Sequence, residues 1–577
     1  MMYYIKKLLK FVREYKFVSI LAPICIIGEV LLETAIPTMM GNLIDNGIQT
    51  GDYNYVYSMG ARMIIMAFFA LVLGALSAVF AAKGSNGFAR NLRRGVFSSL
   101  TQFSFKNSDK FTTPSLITRL TQDITFVQQS YMMCLRMMFR SPLMLIMAVI
   151  MSVRISGNLS VILVAAIPIL AAAVAVISLK TFPRFMEMLK RYDELNASTQ
   201  ENLVAIRVVK AFVRSDYEEK KFNKSADAVR KAQFNAEKLL ILTMPIMQFT
   251  LYACITAVIW FGGRDIAVGT LESGALISFI SYVSNILMSL MMISMFFVNL
   301  VLSAASVKRI VEVLDEVPAI ADNPDCKLVV SDGSVDFDHV SFSYSDDANN
   351  LTLTDIDLHI KSGEVIGVIG GSGSGKTSLV QLIPRLYDVM SGELKVGGHD
   401  VKQYSLETLR NSIGMVLQKN VLFSGTIRAN LRWGNAEASD AEIASACEIA
   451  CADEFISKLP EGYDYDLGQG GVNVSGGQKQ RLCIARALLV HPKILILDDS
   501  TSAVDTATDA KIRNGFREVL PDTTKIIIAQ RINSVIDADR IVVLDDGRIN
   551  AVGTHEELLR NNQIYQEVYY SQQKGVE

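Results

Sequence analysis

The stretch Gly370-Gly-Ser-Gly-Ser-Gly-Lys-Thr-Ser378 decides the fold of the second half of this chain. It stands between the apolar runs 365–369 and 379–383, so the pattern predicts a strand, a glycine-rich loop and a helix. The spacing G-x-x-x-x-G-K-T is that of a P-loop. In such a loop the glycines let successive backbone N–H groups turn onto a phosphate, and the helix adds the positive end of its dipole. The sequence therefore predicts a nucleoside triphosphate site.

Three side chains near this loop carry the chemistry expected of such a site. We expect Lys376 to reach the terminal phosphates and the Thr377 hydroxyl to bind Mg²⁺. The apolar run 494–497 ends in Asp498, and a buried strand ending in a carboxylate is the usual partner of P-loop Mg²⁺. The loop residues predicted to hold the phosphates are Gly371, Ser372, Gly373, Ser374, Gly375, Lys376, Thr377 and Ser378.

Long apolar windows dominate the first half of the chain. The chain has 577 residues, which is long for a single domain. Of these residues 50% are hydrophobic, a fraction too high for a wholly soluble protein. About 20 helical residues cross the hydrocarbon core of a bilayer. Six windows reach that length, at residues 17–40, 61–82, 131–153, 159–179, 241–261 and 273–300. Residues 1–16 are basic and amphipathic, which predicts an interfacial elbow helix before the first span.

The basic residues between these windows predict the topology. Lys and Arg are frequent before the first span and in the links 83–119 and 180–238, but absent from 41–60. Positive-inside counting therefore places both termini in the cytoplasm. Within the links, residues 187–196 and 216–236 are charged and free of Gly and Pro, so we expect helical hairpins that extend the spans into the cytoplasm. The net charge of −2 gives no reason to expect a nucleic-acid partner.

These patterns together predict a multidomain protein. An all-α transmembrane domain with six spans covers residues 17–305, and a linker that includes the amphipathic exit helix 306–315 covers 306–333. Strands and helices alternate through 334–577, as expected of an α/β P-loop NTPase domain. The long apolar half places the protein in a membrane as a multi-pass protein.

A second glycine-rich stretch makes the class of this NTPase specific. Ser475-Gly-Gly-Gln478 precedes the strand that ends in Asp498, and it resembles the signature motif of ATP-binding cassette (ABC) proteins. The resemblance implies that ATP and Mg²⁺ are bound between two cassettes arranged head to tail. The residues Ser475, Gly476, Gly477 and Gln478 would then complete the site of a partner chain. Six spans followed by one cassette are similar to an ABC exporter half-transporter, which must dimerise.

Other residues match further motifs of this family. Tyr344 matches the aromatic residue that stacks on adenine, and Gln418 matches the glutamine that contacts Mg²⁺ and senses the membrane domain. Residues 502–505, ending in Asp505, match the D-loop. Residues 113–123 and 201–212 resemble the two intracellular coupling regions of ABC exporters.

Two positions depart from the family pattern. The residue after Asp498 is Asp499, where the family has the glutamate that orients the attacking water. Aspartate is one methylene shorter, so its carboxylate is withdrawn by about 1.5 Å, and a misplacement of about 1 Å can cost on the order of 10²-fold in rate. The switch histidine is replaced by Gln530, which cannot exchange a proton near neutral pH. Both changes together resemble the degenerate site of heterodimeric ABC exporters.

Three functions remain open at this point. The resemblance favours one subunit of a heterodimeric exporter that binds ATP at a degenerate site and supplies its signature motif in trans. A homodimeric lipid or peptide exporter with a weak ATPase is an alternative. A nucleotide-gated regulatory subunit without pumping is another, and it requires a partner that also lacks the catalytic glutamate. In each case the expected location is the plasma membrane, in contact with membrane lipid.

The transmembrane half offers a few candidate cargo residues. Glu29 and Glu33 share one face of the first span, and this pair predicts either a face that attracts cations or cargo, or a polar contact between helices. On the sixth span, Met292, Met295 and Phe296 are expected to line a cavity for hydrophobic drug-like compounds. Arg136 and Arg140 are expected on the cytoplasmic side of the third span, near phospholipid.

Overall fold

The computed structural model describes residues 2–322, 326, 328–345, 347–499 and 504–574. The chain forms two units. The helical unit comprises Met1–Gln102 and Thr112–Glu316, and the cassette unit comprises Phe103–Phe111 and Val317–Glu577. The predicted linker 306–333 contains positions 323–325 and 327, which lie outside the described residues. Residues 306–315 are helical and continue the last long helix of the helical unit to Asp315.

The helical unit confirms the prediction of an all-α domain with six helices able to span a membrane. Its helices are α1 Met2–Leu9, α2 Lys16–Leu43, α3 Tyr53–Thr101, α5 Thr113–Thr118, α6 Ile124–Ile155, α7 Gly157–Val204, α8 Ile206–Ala211, α9 Ser215–Leu240, α10 Thr243–Val268 and α11 Ser273–Asp315; α4, Phe105–Phe111, belongs to the cassette unit. Helix α3 has 49 residues and is therefore about 74 Å long, well beyond a bilayer. The charged links 187–196 and 216–236 lie in α7 and α9, as predicted.

The N-terminal segment forms an elbow against α3. Helix α1 is followed by a 3₁₀ turn over Lys10–Tyr15, in which Arg13 has a positive φ of 41° that breaks the helix before α2. The rings of Phe11 and Tyr15 lie against Gly95 and Gly87, where an added Cβ would meet ring atoms at 2.2 and 2.4 Å. Close packing at these glycines holds the elbow on α3.

A buried carboxylate in the turn just before α6 binds α11. Asp123 accepts hydrogen bonds from Ser306 Oγ at 2.7 Å and from Arg309 Nε at 2.8 Å. Arg119, one turn earlier, donates to the backbone oxygen of Arg309 at 2.6 Å and pairs with Glu312. The stretch 113–123 thus binds α11 of its own unit.

A second buried carboxylate, just after the end of α2, binds the start of α11. Asp45 accepts backbone N–H bonds from Gly274 at 2.7 Å and Ala275 at 3.2 Å, at the start of α11. The helices touch closely there, because an added Cβ on Gly274 would lie 2.1 Å from the backbone oxygen of Gly41. Tyr282 donates to the backbone oxygen of Thr34 at 2.6 Å.

The cassette unit contains two sheets. Its strands are β1 Val335–Phe342, β2 Leu353–Ile360, β3 Val365–Gly370, β4 Ser391–Val396, β5 His399–Asp400, β6 Ile413–Val416, β7 Ile494–Asp498, β8 Thr524–Ile528, β9 Arg540–Asp545 and β10 Arg548–Gly553. The antiparallel sheet has the order β2-β1-β4-β5, and the larger sheet has the order β10-β9-β3-β8-β7-β6 with five parallel strands. The α/β prediction is confirmed.

Helices lie between and after these strands along the cassette unit. They are α12 Lys376–Leu382, α13 Leu406–Asn411, α14 Ile427–Leu431, α15 Asp440–Ile449, α16 Asp453–Ile456, α17 Gly476–Leu488, α18 Thr506–Val519, α19 His555–Asn561 and α20 Gln563–Lys574. Strand β8 lies between β3 and β7, and Ile528 pairs with both Val368 and Asp498. Because parallel strands end at the same edge of a sheet, the residues after β3, β7 and β8 meet there.

Candidate functional site

The P-loop has the backbone geometry that its glycines predict. Gly375 has φ +94° at the start of α12, a conformation that L side chains rarely adopt. A Cβ on Gly370 would lie 2.2 Å from the backbone oxygen of Leu544, so the loop leaves β3 too close to β9 for a side chain. Lys376 folds over this loop and donates to the backbone oxygens of Gly370 at 2.9 Å and Gly371 at 2.7 Å. Burial lowers the pKa of Lys376.

The predicted Mg²⁺ ligands Thr377 and Asp498 lie together. Thr377 Oγ1 donates to Asp498 Oδ1 at 3.1 Å, although the two residues are 121 positions apart. The other oxygen of Asp498 is buried and has no hydrogen-bond partner among the described residues. Burial raises the pKa of Asp498. A buried carboxylate oxygen without a partner, beside a hydroxyl at a P-loop helix, fits a Mg²⁺ ion bound with triphosphate.

The two unusual residues, Asp499 and Gln530, contact each other. Gln530 Nε2 donates to Asp499 Oδ2 at 2.7 Å. The backbone of Asp499 is also held, since Gln480 of α17 donates to its carbonyl oxygen at 3.3 Å and its own N–H donates to Ile528 at 3.1 Å. Burial raises the pKa of the Asp499 carboxyl, and the bond from Gln530 opposes that rise.

A residue that the sequence did not suggest holds the segment around Gln530. The side-chain amide of Gln572, on helix α20, donates to the backbone oxygen of Gln530 at 2.7 Å. Its Oε1 accepts from the N–H of Ile532 at 2.9 Å. Gln572 thus fixes the backbone on both sides of Arg531. Glutamine in a polar C-terminal helix carries no sequence signal for this role.

The predicted adenine residue, Tyr344, lies beside the P-loop helix. Its hydroxyl is 2.9 Å from Ser378 Oγ, and its ring remains partly exposed. The ring of Tyr387 meets it edge-on at 5.1 Å between centroids. Tyr387 in turn donates to Asp109 Oδ2 at 2.8 Å and packs against Phe105. The short helix α4 therefore connects to the adenine side of the site, and it precedes the predicted coupling stretch 113–123.

The remaining ATP-site candidates lie apart from these contacts. Gln418 is exposed after β6, at the same edge of the sheet as Asp498, because Val416 pairs with Leu497. Ser475 caps α17 in a reciprocal capping box with Gln478, with Gly476 and Gly477 in the first turn. None of the described hydrogen bonds of these signature residues reaches the P-loop of this chain. Asp505 caps α18, while Ser502 and Ala503 lie outside the described residues.

The structure gives partners for two candidate cargo residues and buries a third. Glu29 and Glu33 both pair with Arg140, which lies near the middle of the 32-residue helix α6. This is the contact between helices that the sequence left as one alternative. Phe296 was expected to line a cavity, but it is buried within the helical unit. It lies two turns from buried Ser289, on the packed face of α11, whereas Met292 and Met295 are exposed.

Comparison with known proteins identifies the family. The description "ABC transporter transmembrane region" matches residues 19–291, and "ABC transporter" matches residues 353–502. An uncharacterised ABC transporter ATP-binding protein, YfiB of Bacillus subtilis, is 37% identical over 98% of both chains. This chain belongs to the ABC transporters.

Two further similarities refine the assignment. The ABC transporter chain is 30% identical to an ATP-dependent lipid A-core flippase of Desulfotalea psychrophila, over 98% of this chain and 99% of the flippase. It aligns with the structure of a bacterial Atm1-family ABC exporter with ATP bound at a TM-score of 0.83 and 25% identity, over 97% and 99% of the two chains. The chain is thus an exporter half-transporter, a multi-pass membrane ATPase that couples ATP hydrolysis to transport.

Proposed function

We propose that this chain is one half of a heterodimeric ABC exporter and that its own ATP site is degenerate. The observation that carries the proposal is the 2.7 Å hydrogen bond from Gln530 to Asp499. It joins the two residues that replace the family's histidine and glutamate. A carboxylate engaged by an amide donor, and one methylene shorter than glutamate, is poorly placed to take a proton from water. ATP and Mg²⁺ then bind at this site, and the ATP is hydrolysed slowly.

The same chain also supplies the signature motif that would complete the partner's ATP site. The signature helix α17 begins with an intact capping box, and Ser475 and Gly476 are exposed at its N-terminus. A helix N-terminus with free backbone donors favours a phosphate. In the head-to-tail dimer this surface closes the partner's P-loop site, where hydrolysis takes place.

The tip of the α7–α9 hairpin also supports a dimer. It carries apolar side chains that are strongly exposed in the single chain, among them Val204, Phe212 and Val213. A cytoplasmic apolar patch of this kind marks an interaction surface. We assign the tip to contact with the partner chain.

The transmembrane half moves hydrophobic compounds out of the cell through the plasma membrane, with both termini in the cytoplasm. Exposed methionines on α11, including Met292 and Met295, support this cargo class because a flexible thioether surface adapts to unlike apolar ligands. ATP binding closes the cassettes, and hydrolysis at the partner's site resets the transporter.

A homodimeric lipid exporter is the second candidate, favoured by the similarity to a lipid A-core flippase. In that case Asp499 acts as a slow catalytic base in two identical sites. A nucleotide-gated regulatory subunit is the third. The number of active sites and their dependence on Asp499 separate these functions.

ATPase activity of purified protein tests the proposal. The chain is assayed alone and co-purified with a candidate partner half-transporter, in each case with and without Asp499→Ala. We expect turnover only in the pair, little change on Asp499→Ala, and complete loss when the partner's corresponding glutamate becomes glutamine. The matched control is Asp522→Ala, an exposed aspartate in the turn before β8, which is expected to leave turnover unchanged.

Two results contradict the proposal. Robust turnover by this chain alone that is lost with Asp499→Ala indicates a homodimer with a working aspartate. ATP-dependent conformational change in the pair without turnover or transport indicates a regulatory subunit.

A further inference from the structure

Two carboxylates and one guanidinium meet inside the helical unit. Arg140 Nη2 lies 2.8 Å from Glu33 Oε2, and Arg140 Nη1 is bonded to Glu29 Oε1. Glu29 lies near the middle of the 28-residue helix α2 and Arg140 near the middle of α6, so the group is at the depth of the hydrocarbon core. We call Glu29, Glu33 and Arg140 the charged triad.

The charges of the triad do not balance. Arg140 is the one cation that pairs with Glu29 and Glu33 among the described residues. Two carboxylates and one guanidinium leave one formal negative charge. The second oxygen of Glu29 is buried and has no hydrogen-bond partner among the described residues. An uncompensated charge at this depth is expensive, so a positive group or a hydrogen-bond donor that binds beside the carboxylates is favoured.

The triad is open on one side only. Helix α3 packs closely against the Glu29 carboxylate at Gly74, where an added Cβ would lie 2.9 Å from Oε1, so a ligand reaches the triad from the side of Glu33 and Arg140. The side chains of Glu33 and Arg140 remain 38% and 30% exposed, against 14% for Glu29. Charged groups that are partly open at mid-membrane face a hydrated cavity rather than lipid, because contact with acyl chains is costly.

We propose that the charged triad recognises a cationic amphiphile, with the positive group of the cargo beside Glu33 and Glu29 and its apolar part among exposed side chains of the spans. The inference rests on the proposed export function and narrows its cargo from hydrophobic compounds to lipophilic monocations such as quaternary ammonium or phosphonium ions. Arg140 keeps the two carboxylates apart and oriented when no cargo is bound. A bound monocation would neutralise the formal negative charge that remains after Arg140 has paired with the two glutamates.

Equilibrium binding tests this site without any need for transport. The full chain, purified with its partner, is titrated with tetraphenylphosphonium and with tetraphenylborate, which has nearly the same shape and the opposite charge. We expect tetraphenylphosphonium to bind at least ten-fold more tightly. The variant Glu29→Gln/Glu33→Gln is expected to lose at least ten-fold of that affinity, and Glu33→Asp to retain most of it. Glu272→Gln, an exposed carboxylate just before α11, is the matched control and leaves binding unchanged.

The outcomes separate this inference from the proposed function. Equal affinity for the two ions, or unchanged tetraphenylphosphonium binding in the double glutamine variant, overturns the cation site and leaves the export function standing. Absence of ATP-driven transport for every compound, with charge-dependent binding retained, overturns the export function and supports the cation site. A melting temperature of the double variant close to that of the wild type excludes misfolding as the cause of lost binding.

Discussion

The hydroxyl of Tyr387 donates to the Asp109 carboxylate at 2.8 Å, across 278 positions of sequence. The same ring lies edge-on to Tyr344, at 5.1 Å between centroids. Both residues belong to the cassette unit, and the chain enters α4 from the helical unit after Gln102 and returns to that unit at Thr112. We therefore predict that the contact between α4 and Tyr387 takes part in coupling.

Removing only that hydroxyl is expected to uncouple the two halves. In Tyr387→Phe the ring packing stays and the bond to Asp109 is lost. We expect cargo-stimulated ATPase of the dimer to fall several-fold while basal ATPase and ATP affinity change by less than two-fold. Asp109→Asn keeps an acceptor oxygen and is expected to retain most of the stimulation. Equal loss of basal and stimulated activity would contradict a coupling role.

Restoring the family residues is expected to activate this chain's own site. Asp499→Glu with Gln530→His replaces the amide–carboxylate pair by a base of the usual reach and a proton-exchanging partner. We expect hydrolysis at this site to rise by up to about 10²-fold, the cost of a misplacement of about 1 Å. Single-turnover measurements in a dimer whose partner site carries the glutamine variant isolate this site. No increase would show that another feature limits hydrolysis.

Gln572 is expected to position the switch segment. Gln572→Ala loses the bonds to both Gln530 and Ile532, so the segment is freed at two backbone points. We expect the affinity for ATP to fall several-fold with little change in thermal stability. Gln572→Glu keeps the bond from Ile532 and is expected to have an intermediate effect. Gln573→Ala, on the exposed neighbour, is the control, and an effect of the same size there would contradict the assignment.

The contact between α2 and α11 is expected to tolerate no added side chain. Gly274→Ala places a methyl group 2.1 Å from the backbone oxygen of Gly41, and overpacking of this kind costs about 1–3 kcal/mol. Gly263→Ala, in the interior of α10 with open space around the position, is the matched control and is expected to be neutral or slightly stabilising. The melting temperatures of both variants in detergent measure the difference. An unchanged melting temperature for Gly274→Ala would show that the two helices can move apart at this end.

Residues that act through local spacing were predictable. The P-loop, the signature motif and the strand ending in Asp498 are each short runs whose conformation and chemistry follow from neighbouring residues. The six spans follow from length and apolarity, which the bilayer imposes on any crossing helix. These features were enough to predict the fold class, and the family assignment confirms it.

Residues that act through distant contacts were not predictable. Periodicity placed Glu29 and Glu33 on one face of a helix, but pairing with Arg140 depends on which helix α2 packs against and at what depth. Periodicity also could not show that Phe296 is buried and Met295 exposed, because both residues lie in a helix that is apolar on every side.

The sequence by itself therefore determined the P-loop, the strand that ends in Asp498 and six apolar segments, because each of these is a contiguous run of residues. The resemblance to the family marked Asp499 and Gln530 as altered. Only the tertiary structure decided that the two altered residues bind each other, that α4 contacts Tyr387, and that an unbalanced triad lies inside the membrane half. Those relationships join positions that are 31 to 278 residues apart in the chain. Their geometry is set by the packing of helices and the order of strands, which local sequence patterns do not encode.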